Sequence, residues 1–117
     1  MDNQNKNKNM VKREGVIRTY THHNNRLAAM VEVSCDTDFV ARNKEFLSFV
    51  DVLLLQISSS EVQSKKHLLE QIWLFDDSKS VSQIVEEQAK KFGENIKILA
   101  FIRWALDTNT ESNDPGI

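Results

Sequence analysis

Residues 31–46 read VEVSCDTDFVARNKEF, and the fold is decided by a change of period inside them. Up to Cys35 the apolar residues alternate: Leu27, Ala29, Val31, Val33 and Cys35 share one face of an extended segment. In DTDFVARNKEFLSFVDVLLLQI (36–57) the period lengthens to that of a helix, with Phe46, Phe49, Val50, Leu53, Leu54 and Ile57 forming one stripe. Between the two lies Asp36-Thr37-Asp38, residue types that accept bonds from free first-turn N–H groups and suit the positive end of a helix dipole. The pattern therefore predicts a strand, a sharp corner, and a single helix from about Thr37 to the serine run at Ser58, Ser59 and Ser60.

Working outward, GVIRTYTH (15–22) is β-branched and aromatic, which makes it the first arm of a hairpin with 26–35. Asn24 and Asn25 tolerate the left-handed backbone of a tight primed turn between the arms. After the serines, EVQSKKHLLEQ (61–71) suggests a short helix. In SKSVSQIVEEQAKKFG (78–93), Ser80 and Gln83 have capping-box spacing, and Val81, Ile84, Val85, Ala89 and Phe92 share a face. Lys90 and Lys91 suit the last turn and Gly93 the stop. The final NIKILAFIRWALD (95–107) puts Ile96, Ile98, Ala100, Ile102, Trp104 and Leu106 on one side and Leu99 and Phe101 on the other. A strand apolar on both sides is expected inside a sheet or under a helix. The expectation is an α+β fold: an antiparallel three-stranded sheet with helices packed on one face, in the order β-β-α-α-α-β. The core is expected over 15–107, with apolar-poor, disordered tails at 1–14 and 108–117.

Composition bounds the function. A chain of 117 residues with 40% hydrophobic content supplies one domain. Such a domain buries roughly two thirds of its unfolded surface without disulfide staples. With 15 basic and 17 acidic side chains the net charge is -2, which removes the usual drive toward nucleic acid. An RNA-binding arm at Lys6 to Arg13 is the lesser reading of the basic N-terminal stretch. A lone cysteine, no apolar run of about 18 residues and no leader pattern point to a soluble, reducing compartment and to no membrane.

The usual chemical constellations are missing. His22, His23 and Cys35 do not make a metal set, because neighbouring strand histidines diverge and no second cysteine exists. Cys35 reads as a small buried hydrophobe rather than a nucleophile. Asp36 with Asp38, and Asp76 with Asp77, sit beside predicted helix starts and read as caps rather than catalytic carboxylates. There is no phosphate-cradling glycine loop. Neither an enzyme nor a cofactor or metal is expected. Phe39, seven positions before Phe46 at the edge of the apolar stripe, is either a buried first-turn aromatic or an exposed ring beside Asp38 that enters a partner's crevice.

Residues 31–46 closely resemble the signature of bacterial and organellar elongation factor Ts. GVIRTYTHHNNRLAAM (15–30), LLEQIWLFDDSKSVSQIV (68–85) and FGENIKILAFIRW (92–104) look like the family's other blocks in the same order, so the resemblance covers 15–107. It implies an exchange factor of the cytoplasm or a plastid stroma that binds elongation factor Tu and promotes GDP release. In the family a Thr-Asp-Phe-Val turn inserts beside the helices flanking the nucleotide site and loosens the Mg²⁺ and phosphate contacts. Here that turn is Thr37, Asp38, Phe39 and Val40. On that resemblance Phe39 supplies apolar insertion, Asp38 a polar and electrostatic contact, and Thr37 the cap that holds both. Arg42 and Asn43, one turn on, either face the partner or solvate the helix. Family members usually begin with a three-helix ubiquitin-associated-type domain, where this sequence has residues 1–14. Ile72 stands where a proline is usual, Leu99 and Ala100 where paired arginines are, and Asn25 where a glycine is. The alternative is a scaffold that binds elongation factor Tu without exchange. Family dimers form through the sheet, and Trp104 and Phe101 are candidates for such a homodimer face or for core packing.

Overall fold

The computed structural model describes residues 13–106. Its elements are β1 (Glu14–Thr21), β2 (Leu27–Cys35), α1 (Asp38–Ala41), α2 (Lys44–Ser58), α3 (Lys65–Glu70), α4 (Val81–Phe92) and β3 (Lys97–Ala105). The fold is α+β, an antiparallel three-stranded sheet in the order β1-β2-β3 with the helices packed on one face. The expected tails fall outside the described residues, apart from Arg13 and from Glu14, which opens β1.

β2 is the central strand, and its alternation decides where the core lies. Ala29, Val31, Val33 and Cys35 are buried toward the helices, against Phe46, Phe49, Val50, Leu53, Leu54 and Ile57 of α2 and Val81, Ile84 and Val85 of α4. The other face of the sheet is open and carries exposed Ile17, Met30, Ile102 and Trp104. Arg18 of β1 forks onto Asp51 of α2 with Nε–Oδ1 2.6 Å and Nη2–Oδ2 3.1 Å, tying an outer strand to the helix layer.

Four expectations change. The helix predicted to run unbroken from Thr37 is two helices, because Asn43 begins a second one: its Oδ1 accepts from the N–H groups of Glu45 (2.7 Å) and Phe46 (3.2 Å). Of the two places expected for β3, it is not interior to the sheet but an edge strand whose inward side lies under the helix layer. A register shift opposite Glu32 and Val33 pairs Val33 with Ile98 but Glu32 with Ala100, so Leu99 is an extra residue and the alternation resets. Ile98 and Phe101 thus share the helix-facing side, while Ile102 and Trp104 lie on the open one. The hairpin does not close on a two-residue primed turn. It uses residues 22–26, with Asn25 N–H bonded to His22 C=O at 2.8 Å and Asn25 alone of the pair left-handed, at φ 62°. Finally, the His22 and His23 rings do not diverge: their centroids are 4.3 Å apart, with Tyr20 Oη 2.8 Å from His22 Nδ1. Cys35 lies at the opposite end of β2 from them.

The remaining boundaries follow the local chemistry. Ser80 and Gln83 form a reciprocal capping box at the start of α4, and Gly93, at φ 68°, ends it in the left-handed conformation. Asp76 caps no helix. It closes a turn by accepting from the Ser78 N–H (3.0 Å) and hydroxyl (2.6 Å), which hold its carboxyl below the ordinary carboxylate range.

Candidate functional site: an exposed phenylalanine on a braced corner

The corner from Cys35 to Asn43 leaves the central strand and turns into the helix layer. Thr37 is the N-cap of α1: its backbone is extended and its Oγ1 accepts from Val40 N–H at 3.2 Å. One turn of helix is long enough to send successive side chains in different directions. Val40 and Ala41 point inward and are 3% and 7% exposed. Phe39 points outward and is 77% exposed. Of the two readings of this ring, the structure gives the protruding one.

Asp38 and Arg42 flank the ring, with Asp38 Oδ2 to Arg42 Nη2 at 3.0 Å across one helical turn. Both side chains are largely in water, so this pair is weak and readily exchanged for another partner. Asn43 is exposed to a lesser degree, and its carboxamide oxygen is committed to the start of α2. The site residues named from the sequence therefore divide by role. Phe39, Asp38 and Arg42 are presented to solvent, Thr37 and Asn43 are caps, and Val40 is an anchor in the core.

The corner is braced by two residues that sequence reasoning did not single out. The N–H of Glu94 bonds back to Ala89 C=O at 3.1 Å, completing the helix stop that Gly93 begins. That turn delivers the Glu94 carboxylate to the corner. Oε1 accepts from the N–H groups of Asp36 (3.0 Å) and Thr37 (3.1 Å), and Oε2 accepts from the Thr37 hydroxyl (2.5 Å). In return Asp36 Oδ2 accepts from Asn95 N–H at 2.8 Å. Asp36 is thus a brace rather than a helix cap. The available signal was GEN after the helix stop, an acid and an amide placed just where the chain reverses.

Cys35 completes the underside. It is buried, and its Sγ donates to Thr37 C=O at 3.3 Å. Burial, followed by the negative charge of Glu94, pushes its thiol above the ordinary range, so the proton stays on sulfur. Among the described residues, no helix is long and apolar enough to cross a membrane.

Fold and site together define a small α+β domain that presents an apolar ring, Phe39, on a turn fixed from beneath by core side chains and from the side by a carboxylate brace. A family model described as Elongation factor TS matches residues 36–112. The elongation factor Ts of Clostridium kluyveri is 44% identical over 93 residues, covering 80% of this chain and 30% of that protein. Those of Clostridium novyi and Clostridium perfringens are 34% and 32% identical, each over about four fifths of this chain and 31% of their own length. The chain belongs to the elongation factor Ts family. It spans about 30% of the length of the curated relatives it matches.

Proposed function

We propose that this domain binds elongation factor Tu through the Thr37 to Val40 corner and promotes GDP release. The observation that supports the reading is the exposed Phe39 ring on a corner whose neighbours are all engaged: Val40 and Ala41 in the core, Thr37 as a cap. An exposed aromatic on a fixed turn enters a crevice with little further loss of backbone freedom, and a few such residues dominate an interface. Asp38 stands beside the ring, and its weak tie to Arg42 is released on contact.

Exchange of this kind requires no bond-making. A protein that binds the empty GTPase more tightly than the GDP-loaded one weakens GDP by the same factor, because coupling between two ligands is reciprocal. What it needs is contacts that differ between the two states. The test is the release rate of a fluorescent GDP analogue from elongation factor Tu, with the wild-type domain and with Phe39→Ala. Acceleration that falls by about tenfold or more in the variant supports the reading. Neither acceleration nor a complex overturns it, and a complex with an unchanged release rate means a scaffold.

The open sheet face supports a second contact, with another copy of this chain. Met30 pairs with Ile102 and Ala28 with Trp104 across β2 and β3, so the exposed apolar side chains are contiguous. An exposed apolar face of this kind meets its own copy about a two-fold axis. Phe101, on the helix side, takes no part. Sedimentation of wild type against Trp104→Lys tests this: a dimer lost in the variant supports it, and a monomeric wild type at high concentration dismisses it.

A further inference from the structure

We propose that Glu94 is the positioning residue of the corner, holding the Phe39 turn in the orientation it uses against its partner. The inference rests on the corner being the contact surface, and adds which group sets its geometry.

The hydrogen bonds carry the argument. α1 is a single turn, too short to hold itself, since a helix nucleus is unfavourable until it is extended or packed. On its C-terminal side it is broken from α2 at Asn43, so α2 does not extend it. On its N-terminal side the backbone N–H groups of Asp36 and Thr37 have no partner in a helix or a strand ladder and both reach the Glu94 carboxylate. The same carboxylate accepts a hydrogen bond from the Thr37 hydroxyl, which orients Oγ1 so that its lone pair faces Val40 N–H. One side chain therefore satisfies two backbone donors and fixes the cap of the turn that presents Phe39. Charge-assisted bonds of this kind are the stronger ones. The returning bond from Asn95 N–H to Asp36 closes the brace from the other direction.

The carboxylate is itself placed by α4. Gly93 turns the chain in the left-handed conformation, and the Glu94 N–H bond to Ala89 aims the side chain at the corner. The end of α4 thus sets the start of α1, although 57 residues separate Thr37 from Glu94.

The test combines a cycle of variants with a readout that needs no partner. In GDP release from elongation factor Tu, Glu94→Ala lowers the acceleration by about tenfold, and Glu94→Gln, whose Oε1 still accepts from both amides, by less than about threefold. Phe39→Ala combined with Glu94→Ala is no worse than Phe39→Ala alone within about twofold, because the brace acts through the ring. In amide hydrogen exchange of the free protein, Glu94→Ala speeds exchange at Asp36, Thr37 and Val40 and leaves the amides of β2 and α2 protected. Full additivity of the two variants, a Glu94→Ala protein as active as wild type, or loosening that spreads to β2 and α2 overturns the assignment. If the wild type fails to accelerate GDP release at all, the exchange reading fails by itself. Amide exchange then decides the brace: unchanged rates at Asp36 and Thr37 overturn it.

Discussion

Phe39 and Val40 are consecutive residues with opposite surroundings: the ring is 77% exposed and the valine 3%. A rotation of about 100° around the helix separates a surface group from a core group, and the two respond differently to truncation. Phe39→Ala shifts folding stability by no more than about 0.5 kcal/mol, as expected for a side chain with little to lose. Val40→Ala costs about 2 kcal/mol, the burial of a valine plus the gap it leaves. Urea unfolding of the two variants measures both, and a Phe39→Ala protein as unstable as Val40→Ala refutes the division.

Asn43 starts α2 by accepting from Glu45 and Phe46 N–H. Asn43→Ala costs about 1 kcal/mol, and Asn43→Asp restores most of it because the carboxylate accepts the same bonds. Thermal unfolding of the three proteins gives the comparison. Equal loss in both variants means that the cap is not what Asn43 contributes.

Gly15 lies against the central strand at φ 150°, where a Cβ would stand 2.3 Å from Val33 C=O. That obstacle is backbone and has nowhere to go. Gly15→Ala costs about 1 to 3 kcal/mol through strain at this position. Gly93, by contrast, has open space around it, so Gly93→Ala suffers only from its left-handed φ of 68° and costs about 1 kcal/mol. Urea midpoints rank the two, and Gly15→Ala is expected to be the lower.

Cys35 reports on pH. Burial first, then the charge of Glu94, raise its thiol in the folded state, with smaller contributions from Glu14 and Asp36, while the Thr37 backbone lowers it by more than either of those two raises it. A folded value above the unfolded one means that the contribution to stability is complete below the ordinary thiol range. It is lost as pH rises through the folded value. Urea midpoints at pH 7 and pH 10 are expected to fall further for wild type than for Cys35→Ala. At pH 8 the thiol reacts slowly with iodoacetamide until the protein is unfolded.

The fold was legible wherever one residue type met one period. The alternation from Leu27 to Cys35, the stripe from Phe46 to Ile57 and the Ser80 to Gln83 box each define an element whose ends lie where the pattern changes. β3 was misread because period two holds only while the register does, and the extra residue at Leu99 moves Ile102 and Trp104 to the open face. Asn43 was misread because a helix period continues across a break when the residues on either side fall on compatible faces. At the corner, the Thr37 cap was legible and the Glu94 and Asn95 side of its support was not. Gln56 is a similar case: a buried amide within an apolar stripe, its Nε2 donating to Gln71 Oε1 and Ile72 C=O and its Oε1 accepting from Leu74 N–H. A side chain that binds the backbone of a distant loop leaves no trace in its own neighbourhood.

Because the corner is braced from so far downstream, its assembly follows the order of synthesis. A ribosome delivers the sheet's hairpin and the Phe39 turn early, and the carboxylate that locks the turn emerges only after α4 has been made. A nascent chain halted before Glu94 has the residues of the turn without the carboxylate that braces them.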